Sequence, residues 1–282
     1  MKSALKQAIE VAGRAVDRVA PPTPGITVLI YHRVGGGSDS AVDMAPADFE
    51  AQLEHLVAHH RVISLDDAVT ELAAASPSGW AASSERSASE VEPAVVVTFD
   101  DGTSDFVDVA APLLERHGVP ATLYAATHFI ESGDEFPWGA PPATWAGLAD
   151  IAASGLISIE SHSHTHPLFD RIDRSTATTE LDRSIELIGE RLGAAPRHFA
   201  YPKAVPPCAP AEVEVRRRFA SASLARNRSN QPGATDLHRL WRTPIRRTDD
   251  LDSFAQRCVG GLRLEGELRS LAAPLRYRGT DT

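Results

Sequence analysis

The sequence predicts an α/β fold in which parallel strands alternate with helices and close, or nearly close, into a barrel. Short apolar runs recur along most of the 282 residues, and segments with helical spacing separate them. Repeated strand and helix units imply a parallel sheet, and seven or eight such units in one run favour a barrel. An open doubly wound sheet is the alternative. The hydrophobic content of 43% is enough to bury the core of a single large domain.

Eight apolar segments are predicted as strands, because they are short and fall between helical patterns and turn residues. They are residues 26–32, 61–65, 94–99, 121–126, 156–161, 197–202, 219–224 and 238–244. Helices are predicted where apolar residues recur at a period near 3.6. These segments are 46–59, 66–75, 105–117, 144–154, 176–193 and 211–218.

Residues 1–25 are predicted as an N-terminal amphipathic helix followed by a Pro-rich linker. We expect the apolar stripe of this helix to pack against the domain, and contact with a membrane surface is the alternative. The chain shows no unbroken apolar run of the kind found in secretory signals or membrane spans. That pattern predicts a cytoplasmic location, with a peripheral position at the inner membrane face as the variant. The stripe consists of Leu5, Ala8, Ile9, Ala12, Val16 and Val19.

Two long connections are expected at opposite ends of the barrel. Residues 75–93 follow a helix, so we expect a flexible insertion on the face away from the active site. Residues 127–143 follow a strand and should therefore border the catalytic face. Phe136 and Trp138 in this second connection would either line a sugar subsite or pack under the loop.

The overall charge and the cysteines exclude several classes of function. A formal net charge of -10 argues against a general nucleic-acid-binding protein, which would show a basic surface. The two cysteines, Cys208 and Cys258, are far apart in the sequence and lack the spacing of a zinc ribbon or a redox motif.

The segment VVVTFDDG places two carboxylates directly after a predicted buried strand. Asp100 and Asp101 follow Phe99, and Gly102 ends the strand. Parallel α/β proteins usually keep their catalytic groups at the carboxyl ends of strands, so these acids are well placed for function. The alternative is structural, with Asp101 or Ser104 capping the helix that follows.

The segment IESHSHTHP places three histidines at the end of another predicted strand. His162 and His166 are four residues apart, with His164 between them, and Pro167 favours a loop that curls the first two onto one ion. Two imidazoles and the carboxylate of Asp101 would give a divalent metal three protein ligands and leave positions for water and substrate. Asp100 would then act as the general base that activates a water acidified by the metal.

Several motifs, in this order and spacing, resemble the polysaccharide deacetylase family, also called the NodB homology domain or carbohydrate esterase family 4. They are VLIYHRV (28–34), TFDDG (98–102), HSHTH (162–166) and FAYP (199–202). The opening motif is similar to the branch that contains the poly-N-acetylglucosamine deacetylases. The resemblance covers residues 26–258 as a catalytic domain and leaves 259–282 as a C-terminal tail. It implies a single-domain, distorted (β/α)7 TIM-like barrel.

The resemblance also implies roles for individual residues. Asp100 would be the base, and Asp101, His162 and His166 would hold the metal, usually Zn²⁺, with Co²⁺ or Ni²⁺ as substitutes. The backbone N–H of Tyr201 would help to stabilise the oxyanion. The general acid would be His32, with His238 as the alternative. His164 is expected outside the ligand set.

The third motif departs from the commonest pattern of the family. Many members carry an arginine at the position of Ala200, which tethers the catalytic aspartate, and a glycine at the position of Ala204. Arg197 or Arg242 is a candidate to replace that arginine.

The resulting functional prediction is a metal-dependent hydrolase that removes acetyl groups from an acetylated carbohydrate, chiefly the N-acetyl of N-acetylglucosamine-type units. One alternative is a barrel-type metal-dependent amidohydrolase acting on a non-sugar substrate, since 162/164 and 164/166 are His-x-His pairs. The other is a non-catalytic carbohydrate-binding protein, which the altered FAYPKA motif would favour. The size of the substrate and the oligomeric state are open at this point.

Overall fold

Seven parallel strands close into a barrel, as the sequence predicts. The computed structural model describes residues 2–74 and 92–268. The strands are β1 (Ile26–Tyr31), β2 (Arg33–Val34), β3 (Asp43–Met44), β4 (Ala94–Phe99), β5 (Ala121–Ala125), β6 (Ile157–Ser161), β7 (His198–Ala200), β8 (Ser221–Ala225) and β9 (Leu240–Pro244). The barrel order is β1-β4-β5-β6-β7-β8-β9, and β9 pairs with β1 to close it. A short parallel pair, β2 with β3, lies outside the barrel.

Helices surround the barrel and connect successive strands. They are α1 (Lys2–Val19), α2 (Pro46–His59), α3 (Leu65–Ala74), α4 (Ala111–His117), α5 (Thr127–Ser132), α6 (Trp145–Ala152), α7 (Arg174–Leu192), α8 (Ala209–Arg218) and α9 (Leu251–Cys258). A π-helical turn (Phe106–Ala110) precedes α4, and 3-10 turns lie at Pro202–Ala204 and Leu237–Arg239. The helices α5 and α9 were missed by the sequence analysis, and the first of them lies inside the predicted 127–143 loop.

The predicted strand at 61–65 is wrong. Val62 makes a single parallel bridge to Val95, and α3 begins at Leu65. The hydroxyl of Ser64 accepts a hydrogen bond from the N–H of Asp67 at 3.1 Å. This cap satisfies an otherwise unpaired amide of the first helical turn, and the local sequence therefore starts a helix instead of extending a strand.

Alternate residues of the first barrel strands pack against the outer helices. Tyr31 and Phe99 stack with ring centroids 5.2 Å apart, and Phe49 of α2 meets both rings edge-on. The Tyr31 hydroxyl donates to Gln52 of α2 at 2.8 Å, which satisfies the polar end of a buried ring. These contacts fix α2 against the strand whose end carries the two aspartates.

Helix α1 contacts the domain through a polar edge, so the expectation that its apolar stripe packs against the domain is wrong for Ala12, Val16 and Val19, which are exposed. Asp17 accepts hydrogen bonds from the Leu262 N–H at 2.5 Å and from Arg263 at 3.1 Å, while Gly13 lies against Leu262. In contrast, Val16 is 44% exposed and Val19 is 89% exposed.

Two further expectations concern the parts of the chain outside the barrel. The insertion predicted at 75–93 lies almost entirely outside the described residues, which resume at 92. Within the described ranges, no helix has both the length and the hydropathy that a bilayer crossing requires.

We expect Arg257 to be a major determinant of stability. Its guanidinium is fully buried and pairs with Asp249 at 2.9 Å and with Glu265 at 2.7 Å. Arg257→Met should lower the free energy of unfolding by about 3 kcal/mol, because it removes the buried positive charge that faces these two carboxylates. Urea denaturation followed by circular dichroism measures the change.

The matched control is Arg217→Met, since the Arg217 side chain is 61% exposed and its partner Glu214 keeps two other arginines, Arg174 and Arg218. That variant should stay within about 0.5 kcal/mol of the wild type. Equal losses in the two variants would contradict the assignment of Arg257.

Candidate active site

The turn after β4 directs two adjacent carboxylates into the mouth of the barrel. Asp101 has φ 76 and Gly102 has φ 97, so the chain reverses immediately beyond the strand. A side chain on Gly102 would meet Ile130 at 3.1 Å in a backbone conformation that disfavours other residues. The Asp101 carbonyl accepts from the Ala126 N–H at 2.9 Å, which fixes this turn to the end of β5.

Asp101, His162 and His166 converge as the sequence predicts. Their ligand atoms all lie within 4.8 Å of one another, and all three side chains are buried. The Asp101 Oδ1 atom is 3.8 Å from His162 Nε2 and 3.6 Å from His166 Nε2. Two imidazole nitrogens and one carboxylate oxygen suit a zinc-type ion with an open position.

A hydrogen bond orients His162 for metal binding. Its Nδ1 donates to the Ala200 carbonyl at 2.7 Å, so the lone pair of Nε2 faces Asp101 and His166. This arrangement fixes both the tautomer and the ring direction, as second-sphere contacts usually do at metal sites. Burial lowers the pKa of His162 against the opposing effect of Asp100 and Asp101, and it lowers that of His166 well below its usual range. Neutral imidazoles are the form that binds metal.

Glu180 of α7 holds the histidine loop, and the sequence analysis did not identify it. One carboxylate oxygen accepts from the N–H groups of His164 at 3.0 Å and Thr165 at 2.7 Å. The Ser163 hydroxyl accepts from the His166 N–H at 3.1 Å, which closes the curl. His164 itself points away from the metal-ligand set and lies 3.0 Å from the Thr127 hydroxyl.

A buried ion pair holds Asp100. Arg242 of β9 reaches across the barrel interior and contacts both carboxylate oxygens, at 2.6 and 2.9 Å. Burial alone would raise the pKa of Asp100, but the Arg242 charge outweighs it and brings the pKa to about 2. Ala200 has no charged group that could tether Asp100. Arg242 makes this contact instead. Arg197, the other candidate, pairs with Asp66 at 2.5 Å.

A cavity of about 620 Å³ lies above these groups. Trp138 lines it and is 41% exposed, whereas Phe136 is 1% exposed and packs beneath the loop on Phe129. Of the two aromatic residues, Trp138 therefore reaches the cavity and Phe136 serves packing. The other groups used below that line the cavity are His32, Arg33, Asp100, Asp101, His162, His166, Lys203 and Ala204.

His32 lies on the cavity wall, and His238 does not. Within residues 2–74 and 92–268, the buried Nδ1 of His32 has no hydrogen-bond partner. His238 precedes β9, which places it at the amino end of the barrel, and its Nε2 is 2.8 Å from the Phe219 carbonyl. A strand of five residues separates that end from the cavity by roughly 16 Å, so the alternative general acid is ruled out by distance.

The backbone N–H of Tyr201, the expected oxyanion donor, already has a partner within the protein. Its N–H donates to the Ser223 carbonyl at 3.2 Å between β7 and β8, and its ring packs on Phe199 at 5.2 Å. The cavity wall is formed by the residues that follow, Lys203 and Ala204. An oxyanion could use the Tyr201 N–H only by sharing it with Ser223, so this role stays a prediction.

A family model described as polysaccharide deacetylase matches residues 88–209. The matched polysaccharide deacetylase segment contains both aspartates, His162, His166 and the FAYP motif, and it ends before Arg242. No curated protein matches the sequence.

Solved structures share the fold over most of their length. IcaB from Ammonifex degensii is 23% identical, with a TM-score of 0.70 over 84% of this chain and 97% of that protein. The deacetylase PplD from Streptococcus pyogenes, solved in complex with acetate, is 20% identical, with a TM-score of 0.67 over 83% and 98%. The BpsB deacetylase domain from Bordetella bronchiseptica is 18% identical, with a TM-score of 0.62 over 79% and 98%.

We expect one divalent ion to bind per chain through Asp101, His162 and His166. Chelated protein titrated with Co²⁺ should show a d–d absorption band that saturates at one equivalent, because these three ligands enforce low coordination. Asp101→Ala should weaken binding by about tenfold or more, because it removes the only anionic ligand of the set. His164→Ala is the matched control and should bind as the wild type does. Loss of the band in His164→Ala would contradict the ligand assignment.

Removal of Arg242 should produce a pH-dependent loss of stability. In Arg242→Met the buried Asp100 carboxylate has no counter-charge, so its pKa should rise above the ordinary 3.8. At pH 7 the metal-free variant should be less stable than the wild type by about 3 kcal/mol. The lowered pKa of Asp100 adds to the free energy of unfolding of the wild type, and this contribution is lost as the pH falls from about 4 towards 2. In the variant, Asp100 becomes protonated at a higher pH, and this protonation removes the cost of its unpaired charge.

The deficit of Arg242→Met should therefore narrow as the pH is lowered from 7 to 4. Urea unfolding of metal-free protein across this range measures it. Arg197→Met, which breaks an exposed pair, is the control and should show a small deficit. A deficit of constant size for Arg242→Met would mean that the residue contributes packing alone.

Proposed function

We propose that this chain is a metal-dependent deacetylase that removes N-acetyl groups from a carbohydrate with N-acetylglucosamine-type units. The observation that carries the proposal is the ionised Asp100 beside a buried set of one carboxylate and two imidazoles, at the base of an open cavity. This arrangement supplies a base and a divalent-ion site within reach of one acetyl group.

The residues fit a divalent ion, which we propose to be Zn²⁺, with Co²⁺ or Ni²⁺ as substitutes. The donor set is the one that zinc prefers, and the Ala200 carbonyl fixes the direction of His162. When bound, such an ion makes a water more acidic and polarises the acetyl carbonyl.

Asp100 is the proposed base. Its carboxylate is ionised at neutral pH and would accept the proton of the attacking water. The bidentate contact with Arg242 fixes the plane of the carboxylate, which limits the positions from which it can accept that proton. A low pKa weakens Asp100 as a base in solution, so an acidic water nucleophile and correct placement must contribute much of the rate.

His32 is the proposed acid for the amine leaving group. It lies on the same cavity wall as Asp100, and its unpartnered Nδ1 leaves the ring free to turn towards a substrate. The amine must gain a proton as the C–N bond breaks, and an imidazole can supply it near neutral pH. The N–H of Tyr201, shared with Ser223, remains the proposed oxyanion donor.

The comparisons support the proposal at the level of family and fold. The family match covers the two aspartates and the two histidines that form the site. PplD and BpsB are described as a deacetylase and a deacetylase domain, and PplD was solved with acetate. We propose the same acetyl hydrolysis for this chain. We also propose that α1 is the segment through which the chain would make peripheral contact with a membrane.

Neither alternative function gains support from the site. His164 faces Thr127 and stays outside the metal-ligand set, so the His-x-His pairs do not form the shared centre of an amidohydrolase. The altered third motif favoured a non-catalytic carbohydrate-binding protein. Arg242 supplies the contact to Asp100 that this motif would otherwise have lacked.

Acetate release provides the test. Zinc-loaded protein should release acetate from N-acetylglucosamine oligomers, and chelation should abolish the release. Asp100→Asn should lower kcat about 10³-fold, the usual contribution of a general base, while still binding one equivalent of metal. An enzyme-coupled acetate assay and metal analysis measure the two effects.

His238→Gln is the matched control, because His238 lies at the other end of the barrel, and it should keep wild-type activity. Full activity in Asp100→Asn would overturn the base assignment. The absence of acetate release by metal-loaded wild type from both N- and O-acetylated sugars would overturn the proposed function.

A further inference from the structure

The histidine loop, residues 162–166, has a strained backbone at two positions. Ser163 has φ 67 and His166 has φ 63, and non-glycine residues rarely adopt such positive values. A strained backbone persists only where the surrounding structure holds it in place. The contacts that hold this loop therefore determine where His166 lies relative to Asp101 and His162.

Helix α5 holds two carbonyl groups of the loop. The Thr127 N–H donates to the Ser163 carbonyl at 3.3 Å, and the His128 N–H donates to the His164 carbonyl at 2.9 Å. The free backbone groups in the first turn of a helix are N–H donors, so this end of α5 has no acceptors to offer. The N–H groups of the loop must find their acceptors on another element.

Glu180 of α7 supplies those acceptors with a single carboxylate. Its Oε2 accepts from the His164 N–H at 3.0 Å and from the Thr165 N–H at 2.7 Å, and its Oε1 accepts from the Thr165 hydroxyl at 2.7 Å. Glu180 is 7% exposed. Successive N–H groups in a turn form a concavity that suits an anion, and the carboxylate of Glu180 is the anion here. Its loss would leave two backbone donors without an acceptor.

Helix α7 also holds the end of the strand from which the loop departs. Ser184 lies four residues after Glu180 and therefore on the same face of the helix. The Ser184 hydroxyl donates to the Leu181 carbonyl at 2.9 Å, so the Ser161 hydroxyl, 2.7 Å away, donates to Ser184. Ser161 Oγ in turn accepts from the Ser163 N–H at 3.2 Å. One face of α7 thus fixes both the last residue of β6 and the loop beyond it.

We propose that Glu180 is a positioning residue for the metal site, and that its three hydrogen bonds hold His166 beside Asp101 and His162 whether or not an ion is bound. The inference rests on the metal site of the proposed deacetylase. Glu180 acts through His164 and Thr165. A site that is already ordered binds an ion more tightly than one that the ion must order, because less conformational entropy is lost on binding.

Hydrogen exchange of chelated protein tests whether Glu180 orders the loop. In the wild type the amides of His164 and Thr165 should exchange slowly, since both donate to Glu180. In Glu180→Ala they should exchange about tenfold faster or more, because the loop opens locally without its acceptor. Zinc added to the variant should restore much of the protection. Mass spectrometry of peptides that contain residues 162–166 measures the exchange.

Metal affinity tests whether this order matters to the site. Co²⁺ titrated against a competing chelator should bind Glu180→Ala about tenfold more weakly than the wild type, or weaker still, as is usual when the support of a metal ligand is lost. Glu180→Gln should stay within about threefold of the wild type, because the amide oxygen can accept the same two N–H bonds. Thr165→Val removes one of the three hydrogen bonds and should weaken binding by about threefold.

The matched control is Glu186→Ala on the same helix, where the Glu186 side chain is 54% exposed and pairs with Arg183. It should match the wild type in exchange of the loop and in Co²⁺ affinity. Circular dichroism checks that each variant is folded. Thr165→Val provides the same test with a smaller change if Glu180→Ala does not fold.

Two results for metal affinity would overturn the inference. A folded Glu180→Ala that binds Co²⁺ as tightly as the wild type would show that the three hydrogen bonds do not matter to the ion. A Glu180→Gln that binds as weakly as Glu180→Ala would assign the effect to the negative charge acting at a distance.

The exchange measurement separates this inference from the proposed function, because it requires neither metal nor substrate. Fast exchange of the His164 and Thr165 amides in the chelated wild type would overturn the positioning role and leave acetate release untouched. Slow exchange that is lost in Glu180→Ala, together with weaker Co²⁺ binding, would support the role even if no acetylated sugar released acetate.

Discussion

The ion pair between Asp100 and Arg242 is the constraint on which the site depends. Both groups are buried, and an isolated charge in either position would be costly. The pair allows an ionised carboxylate to remain at the base of the cavity at neutral pH. It also joins β9 to the end of β4 through the barrel interior, so the catalytic geometry depends on closure of the barrel as well as on the motif that carries the aspartates.

The parts of the fold that depend on residues close together in the chain could be predicted from the sequence. Valine-rich runs such as 94–99 indicate buried strands, and the adjacent carboxylates and clustered histidines are enough to predict that Asp101, His162 and His166 converge. The same local logic failed at 61–65, because one hydroxyl cap on Ser64 outweighs a short apolar run. It also failed for α1, since a helical stripe shows which face is apolar and cannot show that the packed edge is formed by Gly13 and Asp17.

Contacts between residues that are far apart in the chain could not be predicted from the sequence. Arg242 and Asp100 are separated by 142 positions in the chain. The sequence alone therefore left Arg197 and Arg242 as equal candidates for the arginine that tethers Asp100. Their separation follows from direction along the strands: Arg242 lies within β9 and points inward, whereas Arg197 precedes β7 and pairs with Asp66 outside the barrel. Position along the strand also separates His238 from the cavity, because His238 lies at the amino end of β9. Glu180 carried no motif, and only the folded histidine loop shows why α7 needs a buried carboxylate there.

The position of Arg242 explains why an arginine is needed at this site. Arg242 is in register with Val28 of β1, and Val28 is in register with Val96 of β4, so Asp100 lies four residues further along a strand that is separated from β9 by β1. The side chain must extend along the barrel axis and still present two nitrogens to both carboxylate oxygens. A lysine could bring a charge to this place, but its single ammonium could not fix the carboxylate plane. An arginine on any inward strand position with this reach would hold the aspartate, so Ala200 in the third motif is compatible with Asp100 as the proposed base.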